Sequence, residues 1–302
     1  VKQAVLTMED DREKPLLLVV HGGPGEPVTP FADSLSGLEE RFVVCLWEQR
    51  NAGMSYSGEK DLRIPQFVSD TVEVTKHLLA RFNRQKLVLM GFSWGTLLGI
   101  FAAARAPELY SAFVGVGQLA DQLSSEKDAY DAALERSQAA GDKKSADALK
   151  EIGPPPYSGK GGMKILMKER AILRKYSGNP AKSPKMSSYL KKVFSCPYYT
   201  LGDKINFLRG MTSGASLFFQ VLEIDVLKSV PKISAPVYVM QGKHDMQTMP
   251  RHAKKLIDRL DAPKKGFFLF EKAGHSPLDD DPQEFFRALD SIDGMFDPWT
   301  EN

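Results

Sequence analysis

Ser93 stands in Gly91-Phe92-Ser93-Trp94-Gly95, directly after the apolar run 86–90 (KLVLM) and directly before a helix-like segment. Glycine two places to either side of a serine, between a strand and a helix, marks a turn so sharp that larger side chains there would collide. Such a turn holds the hydroxyl above the strand end, at a helix N-terminus whose free N–H groups favour negative charge. The chemistry this suits is nucleophilic attack on a carbonyl. A serine at its ordinary pKa is a weak nucleophile, so it needs a base and a third group to orient that base. Of the five histidines, His275 in Ala273-Gly274-His275-Ser276-Pro277 follows the last apolar run and falls on the same strand-end edge as Ser93. His77 and His252 sit within amphipathic helical patterns, His21 reads as a structural residue bonded to loop backbone, and His244 is the alternative base. Gly242-Lys243-His244-Asp245 follows run 236–240 (PVYVM), which makes Asp245 the orienting acid, with Asp121 as the alternative. Asp279, Asp280 and Asp281 are expected to cap a helix beginning near Pro282.

Attack on a carbonyl places charge on its oxygen, and two backbone N–H groups must already point there. His21-Gly22-Gly23-Pro24-Gly25, after the run 16–21 (LLLVVH), supplies a loop of that kind. Gly23 and Trp94 are the expected donors. Other chemistries fail on context. Residues 115–120 match G-x-G-x-x-A, but they open a polar helix with no following apolar strand that ends in an acid. The loop 159–162 (GKGG) is not a phosphate-binding sequence. No His-Glu-x-x-His or other clustered ligand spacing calls for a metal, and no cofactor is expected.

These residues must be carried by a frame, and the frame is readable. Apolar runs at 16–21, 42–47, 86–90, 112–117, 236–240 and 265–270 have the length and continuity of buried parallel strands. Between them, Val68, Val72, Thr75, Leu79 and Phe82 recur at steps of four and three, one face of a helix. Further helices are expected from Ser93 to Arg105, over 251–260 and over 282–295. This alternation predicts a mostly parallel, doubly wound α/β sheet. It breaks from about Leu119 to Leu227, where helical patches at 129–140 and 165–176 stand among Lys, Ala, Ser and Met. The expected organisation is one core, 1–118 plus 228–302, interrupted by a helical insertion, 119–227. The 302 residues are long enough to bury a core without disulfide or metal, and two cysteines could build neither framework.

Composition is globular, and a net charge of +2 gives no general field for nucleic acid. That total hides a contrast. Residues 143–192 carry 13 Lys/Arg against 3 Asp/Glu, leaving the rest of the chain at net −8. The basic stretch is either a solvated helical surface or a module that attracts anionic ligands. No run approaches the length of a membrane span. No leader-like segment opens the sequence at Val1, and the expected location is the cytoplasm.

In order, HGGPG, then 47–55 (WEQRNAGMS), then GFSWGT, GKHD and AGHSP resemble the proline iminopeptidase branch of the α/β-hydrolase superfamily. The chain order Ser93, Asp245, His275 is that superfamily's order. Where the family has W-D-Q-R-G-x-G-x-S, this sequence has Glu48 for Asp and Asn51 for Gly. Asn tolerates left-handed backbone better than other non-glycine residues, so the loop can keep its shape. The resemblance implies an α/β-hydrolase fold with a helical cap (lid), and a serine peptidase that removes an N-terminal residue, often proline, from a short peptide. It also implies cap carboxylates that hold the substrate amine. After Glu151 the insertion offers Glu169, Asp203, Glu223 and Asp225. Glu169 and Glu223 are the expected pair, with Glu48 a further contributor from the core. An esterase or amidase acting on small acyl substrates would keep the same machinery, and a catalytically silent binding protein would keep only the fold.

Overall fold

In this computed structural model, residues 1–8, 11, 13–157, 161–177 and 186–292 are described. The expected strands form in sequence: β2 (Leu16–Val20), β3 (Val43–Trp47), β4 (Leu87–Phe92), β5 (Tyr110–Val116), β6 (Val237–Gly242) and β7 (Lys265–Phe270). They are joined by β1 (Val5–Met8), which the sequence pattern does not announce. Its four residues are all partly exposed, so neither a continuous apolar run nor a clean alternation marks it. The strands lie in the order β1-β3-β2-β4-β5-β6-β7, and only the β1–β3 pair is antiparallel. β2, β3 and β6 are buried at every residue. Covered on both faces, they read as unbroken apolar runs.

The two faces divide strand residues by alternation. Leu16, Leu18 and Val20 pack with α2 (Ile64–Phe82), α3 (Trp94–Arg105) and α10 (Pro250–Arg259). Leu17 and Val19 face the short helices α1 (Ser36–Glu39) and α11 (Pro277–Asp280), together with α12 (Pro282–Asp290). α2 closes on Asn83 in left-handed backbone, φ 52°. Of the helix expected over 282–295, residues 293–295 lie outside the described residues, as do Gly159 and Lys160 of the GKGG loop.

Between β5 and β6 come α4 (Gln122–Ala139), α5 (Lys143–Ile152), α6 (Gly162–Tyr176), α7 (Met186–Ser195), α8 (Leu201–Leu222) and the short α9 (Val226–Ser229). Two small apolar clusters tie these helices to loops at the C-terminal edge of the sheet. Tyr130, Leu149, Ile172 and Leu173 pack with Met246, and Val193, Tyr199 and Phe207 pack with Phe31 and Met54. Leu217 and Val221 of α8 join the main core.

α8 also meets the His21–Gly25 loop backbone to backbone. A Cβ on Gly214 would sit 2.5 Å from the Pro24 carbonyl oxygen, and one on Gly25 would strike the carbonyl of Gly210. Glycines on both sides permit that approach, which fixes the loop carrying Gly23. We expect Gly214→Ala to lower stability by about 1–3 kcal/mol through overpacking, although alanine favours a helix by about 1 kcal/mol over glycine. Urea unfolding reads the sign, and a stabilised variant would mean that α8 does not press on the loop.

Candidate active site

β2, β4, β5, β6 and β7 run parallel, so the loops after them share one edge of the sheet. Ser93 follows β4 at φ 49°, ψ −117°, a positive φ that non-glycine residues rarely adopt. Its N–H donates to the Val116 carbonyl at 2.8 Å, and its carbonyl accepts from the Thr96 N–H at 2.8 Å and the Thr96 hydroxyl at 2.6 Å. A Cβ on Gly91 would lie 2.5 Å from the Gly95 carbonyl, and one on Gly95 would run into the carbonyls of Val20 and His21. Those contacts are with backbone, which cannot swing aside. The glycines flanking Ser93 therefore have the steric reason expected of them.

Asp245 lies after β6 and is 1% exposed. One oxygen, Oδ2, accepts from His275 Nδ1 at 2.8 Å, Gln241 Nε2 at 2.8 Å and the Thr248 hydroxyl at 2.6 Å. The other accepts from the N–H groups of Gln247 (2.8 Å) and Thr248 (3.0 Å). Burial pushes the carboxyl upward, but the His275 ring and these hydrogen bonds outweigh it and hold Asp245 below the usual carboxylate range. An ionised Asp245 keeps the proton of neutral His275 on Nδ1 and leaves Nε2 as the basic nitrogen. Gly117, at φ +65°, lets that ring lie close: a Cβ there would come within 3.1 Å of His275 Cε1. This glycine, part of the stretch that mimics a dinucleotide motif, makes room for a histidine.

Of the alternatives, Asp121 caps α4, accepting from the Ser124 N–H and hydroxyl, and His244, the alternative base, is held through its backbone, its N–H donating to the Ala273 carbonyl and its carbonyl accepting from the Ser177 hydroxyl, both at 3.0 Å. His252 is hydrogen-bonded to Asp128. Of the three acids expected to cap α12, Asp281 stands at its N-cap without a side-chain hydrogen bond, and Asp280 instead accepts from the Gly274 N–H in the His275 loop. His21 is fully buried. Its Nε2 accepts from the Gln49 N–H at 3.2 Å, which leaves Nδ1 to donate to the Gly22 carbonyl at 2.8 Å. Gln49 in turn donates to the His21 carbonyl and accepts from the Trp94 indole, both at 2.8 Å. The 47–55 segment thereby locks the Gly23 loop to the start of α3. Asn51 takes φ 61°, and its Oδ1 accepts the N–H groups of Ser57, Gly58 and Glu59.

Gly23, Ser93 and Trp94 line a cavity of about 70 Å³ that Gln122, Glu126, Tyr157 and Arg170 also line. Trp94 opens α3, so its N–H has no partner within the helix. His275 lines a neighbouring cavity of about 350 Å³, and Gln247 belongs to both. Glu126 is not among the acids expected from the sequence, which apart from Glu48 all lie beyond Glu151. Glu169 is fully buried beside it; burial first, then the charge of Glu126, raise its carboxyl to about 7 against the opposing pull of Arg170 and the nearby Tyr157 hydroxyl. Among the described residues, seven buried side-chain polar atoms have no hydrogen-bond partner, and five of them belong to Gln122, Glu126, Glu169 and Arg170. Arg170 is paired with Glu126. The structure does not bring the other two expected acids here. Glu48 is buried elsewhere, accepting from the Tyr199 hydroxyl (2.6 Å) and the Met54 N–H (2.6 Å), and Glu223 is exposed beyond the end of α8. Among the described residues, no group of three or more His, Cys, Asp or Glu could hold a metal ion.

The family description alpha/beta hydrolase fold matches residues 15–154. A Bacillus subtilis (strain 168) protein named probable aminopeptidase YbaC is 30% identical over 297 residues, covering 95% of this chain and 92% of the relative. The chain belongs to the α/β-hydrolase family. This α/β-hydrolase also shares its fold with a proline iminopeptidase-related protein from Thermus thermophilus, at TM-score 0.65 and 18% identity over 96% of each chain. A monoacylglycerol lipase from Paleococcus ferrophilus aligns at TM-score 0.58 and 18% identity, over 96% of this chain and 97% of the other.

The buried His21 predicts an acid sensitivity of the hydrolase. Burial lowers its pKa from 6.5 to about 4, against the opposing hydrogen bond to Gly22. Between those values the unfolded chain binds a proton that the folded one refuses, so stability is present above 6.5 and is lost as pH falls. From pH 8 to pH 5 the loss at this site is about 2 kcal/mol. Urea unfolding at the two pH values should show it, and His21→Gln, itself less stable, should lack that share of the difference.

Proposed function

We propose that this hydrolase is a serine aminopeptidase of the proline iminopeptidase type, with Ser93 as nucleophile, His275 as base and Asp245 as its orienting acid. Residues 119–227 act as a cap over the core formed by 1–118 and 228–302. Ser93 Oγ attacks the first peptide carbonyl as its proton passes to His275 Nε2. The oxyanion is held by the Gly23 and Trp94 N–H groups. The C–N bond then breaks, His275 returns the proton to the leaving amine, and the N-terminal residue remains as an acyl-enzyme. Water attacks that ester as His275 takes its proton; the C–O bond then breaks, His275 passes that proton to Ser93 Oγ, and the N-terminal residue leaves as the free amino acid.

One observation carries the peptidase reading: the cluster of unpartnered buried polar atoms on Gln122, Glu126, Glu169 and Arg170, three of which line the cavity that Ser93 also lines. Buried polar atoms without partners are costly, and a ligand that supplies the partner recovers that cost. Arg170 balances one of the two carboxylates, so a single ammonium completes the charge when both are ionised. A free N-terminus brings such a group, whereas a neutral acyl chain, as in a simple ester, does not. Glu169 is the expected acid that fits this role, and Glu126 joins it. The cavity of about 70 Å³ suits a small first residue.

Ser93→Ala should reduce turnover of prolyl and alanyl anilides by about 10⁶ if the three residues act as a unit. If short-chain nitrophenyl esters turn over and neither anilide does, the peptidase reading is wrong and the esterase reading takes its place.

With its carboxyl at about 7, Glu169 becomes anionic only as pH rises through that value, while a peptide ammonium is lost above about 8. KM for an aminoacyl anilide should therefore be lowest between the two and rise on either side. Glu169→Gln should raise KM and flatten the acid limb. An unchanged acid limb in that variant would remove Glu169 from amine binding.

A further inference from the structure

Large apolar residues left exposed are not scattered over this protein. Of nine such residues among those described, seven lie on or between α6, α7 and α8. Leu201, Ile205 and Leu208 are 69%, 42% and 38% exposed, and Phe194 and Tyr198, just before them, are 46% and 52% exposed. At about 100° per residue, the three α8 side chains fall within about 60° of one another. The buried residues of α8, among them Phe207, Gly210 and Leu217, occupy the opposite side. The apolar stripe is therefore not part of the helix's packing against the core.

Cations border that stripe on both sides. By the same count Lys204 lies about 40° beyond Leu208, and Arg209 about 40° beyond Ile205. Across residues 186–209 there are four Lys/Arg and one acid, Asp203. That acid is engaged at the start of α8, where it accepts from the N–H and hydroxyl of Thr200. An apolar stripe between two cationic borders matches a surface that is apolar within and anionic at its edge.

We propose that the N-terminal half of α8, with the end of α7, docks this protein on an anionic lipid surface. The apolar side chains enter the acyl boundary while Lys204, Arg209 and Lys191 meet the headgroups. A second copy of the chain fits the same face less well, because a symmetric contact would set its cationic borders against each other. The area also falls short. Five side chains of roughly 200 Å² each, about half exposed, offer on the order of 500 Å², against about 800 Å² per partner for a stable interface. This docking is independent of the catalytic reading, since it uses none of the residues given a role there.

The test is co-sedimentation of the full chain with vesicles of phosphatidylcholine alone, or of phosphatidylcholine with about 30% phosphatidylglycerol, scored beside solution mass by light scattering. The expected result is a monomer that sediments with the anionic vesicles at least ~10-fold more than with the neutral ones, and is released by salt. Leu201→Glu/Ile205→Glu should reduce binding at least ~10-fold with an unchanged thermal midpoint. Lys204→Gln/Arg209→Gln, which leaves the apolar stripe intact, should abolish the preference for anionic vesicles. Failure of the wild-type chain to bind anionic vesicles overturns the proposal. So does a wild-type dimer that Leu201→Glu/Ile205→Glu converts to monomer, because the stripe would then be covered by a second copy.

Discussion

The backbone at Ser93 is held where a residue with a side chain would not go by choice, at φ 49° and ψ −117°. Such a conformation costs about 1–3 kcal/mol and persists only when its surroundings over-determine it. Here they do so from three directions. The Ser93 N–H is tied to β5, its carbonyl is tied twice to Thr96, and the glycines at 91 and 95 bring β4, α3 and β2 closer than any Cβ allows. Everything else at the sheet edge is arranged around that turn. β5 supplies Val116 for the tether and, one residue on, Gly117 for the His275 ring. β2 leads into the loop that carries Gly23.

A second layer of buried polar residues keeps this arrangement in register. His21, Gln49 and the Trp94 indole form one chain of hydrogen bonds, and the Gln118 backbone N–H, Gln241, Thr248 and Asp245 form another. In a buried region each broken link would leave an unpaired polar group, which makes such networks specific about geometry. The first fixes the Gly23 loop to the start of α3. The second holds a carboxylate ionised without solvent, leaving His275 with a defined tautomer. The cluster around Glu126 and Glu169 is the opposite case. Its polar atoms are buried but incompletely partnered, which is the property expected of a surface built to receive something else.

The strands and the three proposed catalytic positions were legible because each has a local cause. Strands covered on both faces read as apolar runs, and Ser93, Asp245 and His275 each follow such a run within a few residues. β1 was not legible, since four half-exposed residues carry too little pattern. Nor was the pairing of Glu126 with Glu169. They are 43 positions apart on α4 and α6, and nothing in either helix's periodicity says that they meet. The resemblance pointed to cap carboxylates by type, and only the packing of α4 against α6 brings Glu169 beside Glu126, which lines the cavity of Ser93. The loop at Asp245 has a local cause of its own: an aspartate side chain accepting the backbone N–H groups that follow it, here those of Gln247 and Thr248, is a recurrent turn.

Reaction with a fluorophosphonate reads whether Ser93 is a nucleophile activated by His275, and it requires no knowledge of the substrate. One phosphonyl group per chain is expected, located by mass spectrometry on Ser93, with the rate reduced by about 10³ or more in a folded His275→Ala variant. Labelling at another residue, or at an undiminished rate without His275, would contradict those roles.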